Sequence, residues 1–338
     1  MKAMSVSSNA VSQALRLQMA RAQAEMIRAE KEVTTGQVAD RGLHLGVRTG
    51  HSVSLDRDIA RLDNIKSTNG MVTTRLDATQ NALGETREIA QQMLGTLTTM
   101  LNGALEPAVP RTQGMSVLTT MNAMFNATID GGYIFAGTNT DVRPLADFTD
   151  PGSDARIAFD ALAAGLPDPI DAAAMTTFLA AAETQIIDNW NVNWSQASDE
   201  TIQSRIALSE TAKTSVSANE GGIRQLAMAA AIVVGLVDRD MAPDAKRLLT
   251  EKAISLTGGA IESLTSIQSE VGLAQNRVSQ ANDRLTTQVD LFKRTQIDMV
   301  GVDPFEASTR LTSLLAQVET SYTLTARIQQ LSLLRFMS

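Results

Sequence analysis

Both ends of this 338-residue chain carry seam residues in alternating steps of three and four. That spacing puts one narrow stripe on each helix and demands a partner helix to cover it. Near the N-terminus the stripe is Leu15, Met19, Ala22, Met26, Ala29 and Val33, and it stops at Thr34-Thr35-Gly36. A second seam runs through Ile65, Asn69, Val72, Leu76, Thr79, Leu83, Thr86, Ala90, Met93, Leu97 and Met100. A helix over roughly 54–101 is ~70 Å long at about 1.5 Å per residue. Asn102-Gly103, Glu106-Pro107 and Pro110 mark its end. A shorter helix over 112–129, with Met115, Leu118, Met121 and Phe125 on one face, ends at Asp130-Gly131-Gly132.

The other end mirrors this pattern. Ile254, Thr257, Ile261, Leu264, Gln268, Val271, Gln275, Val278, Asn282, Leu285, Val289, Phe292, Gln296 and Met299 hold the same alternation. One seam position stays apolar from Leu264 to Met299, while the other turns polar at Gln268, Gln275 and Asn282. Polar seam residues lower stability but fix register and partner choice. After Gly301-Val302-Asp303-Pro304 a last helix places Leu311, Leu315, Val318 and Tyr322 on one stripe, followed by Ile328, Leu331 and Leu333.

Between about 143 and 217 the seams disappear. Pro144, Pro151, Pro167 and Pro169 fall here, as do Trp190 and Trp194. Ile157-Ala158-Phe159 and Lys213-Thr214-Ser215-Val216-Ser217 suit strands, and Gly221-Gly222 marks the return to helix. The expected fold is mainly α, with a smaller inserted α/β or β-rich domain. Long antiparallel coiled-coil helices from both chain ends would build an elongated rod. Its parts would be a terminal coiled-coil region (1–40 and 303–338), a helical rod domain (41–142 and 222–302) and the insert (143–221). The glycine-rich stretch 36–50 reads as a joint between helical pieces.

Chemistry is sparse. With no cysteine there are no disulfides, thiolate nucleophiles or zinc–thiolate sites. A net charge of −8 without a Lys/Arg cluster argues against a nucleic-acid partner. Only 4% of residues are aromatic, so packing falls to Leu, Ile, Val, Ala and the 15 methionines, which fill irregular gaps between helices. The start, MKAMSVSSNAVSQAL, lacks an apolar core, so a cleaved secretory signal is not expected. The longest apolar run, Leu226 to Val237, is too short to cross a hydrocarbon layer of ~30 Å.

GGYIFAGTNTDV, from Gly131 to Val142, has the glycine spacing of a phosphate-binding loop. Thr138 stands where the essential lysine would be, and the segment follows a helix rather than a strand. Gly132, Tyr133, Phe135 and Gly137 read instead as a joint fastening the insert to the rod. His44 and His51 have only Asp40, Asp56 and Asp58 nearby, and they read as polar joint residues rather than metal ligands. Trp190 and Trp194 read as the core of a small domain rather than a carbohydrate platform. Carboxylates spread over helix faces as solvating charge. No catalytic, cofactor or metal site is expected.

The run VDPFEASTRLTSLLAQVETSYTLTARIQQLSLLRFMS, Val302 to Ser338, resembles the C-terminal signature of the flagellin-like axial proteins. The matching residues are Asp303, Glu306-Ala307, Leu311, Glu319-Thr320-Ser321-Tyr322 and Leu331-Ser332-Leu333-Leu334. Gly132-Tyr133-Ile134-Phe135-Ala136-Gly137, with Thr140 and Pro144, resembles the glycine–aromatic turn closing that family's first helical half. Thr35-Gly36 lies near its Ser-Thr-Gly element. One departure is Arg41-Gly-Leu-His-Leu-Gly-Val-Arg48, where many members have an Arg-Pro-Ser-Asp-Asp-Pro-like segment. The resemblance implies a non-enzymatic structural subunit of the bacterial flagellum. It would be exported without a cleaved signal peptide and would lie outside the cell. Implied partners are further copies of itself, hook-associated protein 1, flagellin and a flagellar export chaperone. A flagellin filament subunit and a cytoplasmic coiled-coil adaptor are the alternative readings.

Residues 6–33 and 305–335 are single stripes, expected to have little to pack on in a monomer. They would order only when neighbouring subunits complete the bundle. The assembly interface would then use Leu15, Met19, Met26, Val33, Leu311, Leu315, Val318, Tyr322, Ile328, Leu331 and Leu333. The rod seam would use Val72, Leu76, Leu83, Met93, Leu97, Leu264, Val271, Val278, Leu285 and Phe292.

Overall fold

The structure is a computed structural model describing residues 8–103 and 105–337, with side chains described for 13–103 and 105–327. Helix α1 (Ser8–Thr35) leads through α2 (Arg41–Leu45) and a 3-10 turn to α3 (Thr49–Leu101). Then come α4 (Ala108–Phe125), β1 (Thr128–Ile129) and β2 (Gly132–Tyr133). The middle holds α5 (Asp154–Ala163), α6 (Ala172–Glu183), α7 (Trp190–Asn193), β3 (Gln203–Ala207) and β4 (Glu210–Lys213). The chain closes with α8 (Gly221–Leu236), α9 (Pro243–Val300) and α10 (Pro304–Met337). Two compact units result, one from residues up to Asp63 with those from Thr286 onward, the other Asn64–Leu285. Helices α3 and α9 supply residues to both.

In the second unit α3 and α9 run antiparallel. Asn69 faces Asn282, Asp77 faces Gln275, and Gly84 lies beside Gln268. Val72, Leu76, Leu83, Met93 and Leu97 on α3 are buried, as are Leu264, Val271 and Val278 on α9. Leu285 is buried too, and Phe292, in the first unit, is half-buried. Helix α8 is apolar nearly all round and sits inside the same core. Gly222 admits Ser263 of α9, whose hydroxyl accepts from the Gly222 amide at 3.1 Å.

The segment 143–221 is mixed rather than mainly β. Ile157-Ala158-Phe159, read as a strand, belongs to α5. Ser153 caps that helix by accepting from the Arg156 amide, and Asp171 caps α6 in the same way. A cap followed by one apolar face outweighs a three-residue strand pattern. The only hairpin in this segment, β3–β4, is antiparallel with an irregularity between Arg205 and Ala207. An aromatic stack forms the core: Trp190 on Trp194 at 5.4 Å, Trp194 on Phe148 at 5.1 Å, with Phe159 edge-on to Phe148 and Phe178. No described helix is long and apolar enough to cross a membrane.

Candidate assembly interface

Helices α1 and α10 pack along each other within one chain, which corrects the expectation that each stripe has little to cover it. The contact centres on small residues. Ala22 and Ala29 of α1 are buried, as are Ala307, Leu314 and Val318 of α10. Leu15, Met19, Met26 and Leu311 are half-buried. Alanines on both sides let the two backbones approach, so large residues lie beside the contact as well as in it. Polar contacts lock the pair. The Gln23 amide donates to the Tyr322 hydroxyl at 2.7 Å, and Arg310 pairs with the largely buried Glu32 at 3.3 Å.

Apolar side chains elsewhere on the two helices stay open. Leu315 is 49% exposed and Tyr322 52%, and Leu17, Ile27, Val33, Phe305 and Leu324 are exposed as well. The stripe read from sequence therefore divides: Leu311 and Val318 turn inward and Leu315 outward, while Tyr322 lies at the edge, half exposed with its hydroxyl held by Gln23 of α1. At 100° per residue, a stripe centred on Ala307, Leu314 and Val318 leaves positions 315 and 322 at its margin. The side chains of Ile328, Leu331 and Leu333 lie outside the described residues.

A backbone clasp joins the base of this pair. Val38 donates to the Val300 carbonyl at 2.8 Å, and Val302 donates to the Gly36 carbonyl at 3.0 Å. Gly36, at φ 67°, makes the turn that allows it. The glycine-rich joint is ordered locally: Asp40 caps α2, and Arg41 pairs with Asp56 at 2.8 Å, which also accepts from Gln296. This clasp was invisible to side-chain patterns because it is made of main chain. His44 and His51 are exposed, and among the described residues no group of three or more metal-ligating side chains forms.

The stretch from Gly131 to Val142 forms a junction of strands. Strands β1 and β2 pair through a turn in which Asp130 and Gly131 both have positive φ. Beyond it, Phe135 accepts from the Ala218 amide at 2.7 Å, and Ala136 accepts from Ser198 at 3.0 Å. Phe135 is fully buried, edge-on to Phe125 at 4.9 Å. Arg75 of α3 donates to the Tyr133 and Ile134 carbonyls at 3.2 and 3.4 Å. Burial lowers the pKa of that guanidinium from its ordinary value. Gly137, at φ 64°, lies against the carbonyls of Ser198 and Glu200, where no side chain fits. The backbone amides of Tyr133, Ile134, Asn139 and Val142 donate to the carbonyls of Thr140, Ala127, Ala136 and Asn139, the bonding of a structural turn.

Residues 6–140 match the bacterial flagellin N-terminal helical region, and residues 254–337 match the bacterial flagellin C-terminal helical region. Among solved structures, one assigned to a flagellar hook-associated protein of Vibrio parahaemolyticus is similar. Its TM-score is 0.54 and its identity 12%, over 75% of this chain and 97% of that one. No curated protein matches. Two helical arms, both matching flagellin regions and together most of the chain, carry one conclusion: the chain belongs to the flagellin-like family and is a structural, non-enzymatic component of the flagellum.

Proposed function

We propose that this chain is the hook–filament junction subunit, also called hook-associated protein 3. It would assemble as a ring joining the hook-associated protein 1 layer to the flagellin filament. The observation that carries this reading is the closing sequence Arg327-Ile-Gln-Gln-Leu-Ser-Leu-Leu334, which resembles the junction protein more than flagellin. The likeness in fold to a hook-associated protein supports it. In this reading the chain divides along its length into 1–40 with 303–338, 41–142 with 222–302, and 143–221, the last an outer part built onto the core of the rod helices.

The outer stripe of the terminal helices supplies the mechanism. Leu315, Tyr322, Ile27 and Leu17 are apolar surface left over after α1 and α10 pair. Each aliphatic one is already about half covered, so burying the rest contributes about 1 kcal/mol. Neighbouring copies, contacting head to tail, would cover it and close a ring. Export through the flagellar type III channel, aided by a chaperone, belongs to the same proposal.

Immunogold labelling of sheared flagella tests the reading. A narrow gold band where hook meets filament is expected. Gold along the whole filament would make the chain a flagellin, and gold elsewhere on the flagellum would overturn the junction role.

A further inference from the structure

A seven-residue repeat fixes which face of a helix is used, but not where along it the partner lies. A slide of one heptad, about 10 Å, brings like against like. Helix α9 is open to this ambiguity. Its polar seam positions recur every seven residues at Gln268, Gln275 and Asn282, between buried Leu264, Val271, Val278 and Leu285. On α3, buried Thr79 and Thr86 donate to the Arg75 and Ala82 carbonyls of their own helix, so neither demands a particular partner. Fully buried Asn69 does need an amide across the seam, and Asn282 supplies it at 2.8 Å. Gln275, one heptad away, carries the same group.

Hairpin β3–β4 removes the ambiguity. The Asn69 side chain also donates to the Ile206 carbonyl at 2.9 Å, fastening the hairpin to α3. A few residues on, Glu210 accepts from Arg277 at 3.2 Å and from Arg284 at 2.7 Å, both on α9. Arg277 donates to the Thr211 carbonyl as well, at 3.0 Å. The two arginines are themselves one heptad apart. Sliding α9 seven residues one way puts Glu270 in the place of Arg277, a like charge against Glu210. Sliding it the other way puts Leu291 in the place of Arg284. Only the observed register offers Glu210 two cations.

We propose that the β3–β4 hairpin is a register gauge: it holds α3 at Asn69 and α9 at Arg277 and Arg284, and so selects the observed alignment over a one-heptad slide, above all the slide that sets Gln275 against Asn69, since the opposite one sets Val289 there. Both arginines are about half exposed, so this part of the gauge loosens as salt rises.

The absence of cysteine makes introduced thiol pairs unique. Asp77 accepts from Gln275 at 2.7 Å, so Asp77→Cys with Gln275→Cys reports the observed register. Asp77→Cys with Gln268→Cys reports a slide one way, and Gly84→Cys with Gln275→Cys a slide the other way. The full chain is treated with a short bismaleimide. With the hairpin contacts intact, only the first pair should cross-link. With Asn69→Leu and Glu210→Gln added, one slid pair should rise about tenfold, as expected from losing a charge-assisted contact. Slid pairs that stay at background while the first pair reacts fully would overturn the proposal. Should Asn69→Leu abolish the helical signal, Arg277→Ala with Arg284→Ala decides the matter, since it leaves the seam and the hairpin core intact. The same rise is then required, and its absence counts against the gauge.

Discussion

Gln23 and Tyr322, 299 positions apart, meet through a 2.7 Å hydrogen bond from amide to phenol. The contact places the two chain ends side by side in a single protomer. The terminal helices thus have a fold before assembly, and assembly adds to it. Deleting residues 1–35 and 303–338 should therefore lower the helical circular-dichroism signal of the monomer by the 28 residues of α1 and 34 of α10. A deletion that left the signal unchanged would mean that the helices order only in the assembled flagellum.

Leu314 and Leu315 are adjacent in sequence and opposite in role. Leu314 is 8% exposed against α1, whereas Leu315 is 49% exposed. Leu314→Asp buries an unpaired charge and should destabilise the terminal pair by about 2–4 kcal/mol, read from thermal unfolding of the monomer. Leu315→Asp should leave that transition within about 0.5 kcal/mol of the parent, as surface changes do. It should still abolish filament attachment in cells. Normal filaments on Leu315→Asp would remove the outer stripe from the assembly interface.

Gly137 and Gly131 both have positive φ, but their surroundings differ. A Cβ on Gly137 would run into the Ser198 and Glu200 carbonyls, whereas a Cβ on Gly131 meets nothing within 4 Å. Gly131→Ala should cost about 1 kcal/mol of backbone strain alone. Gly137→Ala should cost at least about 3 kcal/mol, because backbone strain and a collision with two carbonyls add. Denaturant titration of the two variants separates the terms, and equal midpoints would show that the joint yields.

Sequence patterns are most legible where one periodic face decides the structure. The second seam foretold α3 to within a few residues of Thr49–Leu101, and the heptads of α9 carried through to Val300. Pro110 was read as part of a turn, yet it lies in the first turn of α4, where its missing amide has no helical acceptor to lose. The three-residue pattern at Ile157 was too short to tell strand from helix, and the Ser153 cap settled it. At the terminal pair, counting large apolar residues drew the stripe through Leu315 and Tyr322. Alanine-mediated approach shifts the contact toward Leu314. The Gly36–Val302 clasp is made of main-chain atoms, so no side chain announced it.

Trp190 and Trp194 are the only tryptophans, and both lie in the aromatic stack. Their fluorescence therefore reports this core alone. The stack is sealed onto α8 by Gly235, which packs against the ring of Phe159 so closely that an added Cβ would collide with it. Phe159 shares one continuous core with residues of α3, α4, α8 and α9, so the segment 143–221 has no separate interior to melt. Fluorescence and helical signal from the second unit should lose structure at one midpoint. Gly235→Ala overpacks the seal and should destabilise the unit by about 1–3 kcal/mol, lowering the midpoint of both signals together. A fluorescence transition that preceded the helical one, or that alone moved with Gly235→Ala, would show that this segment unfolds as a domain of its own.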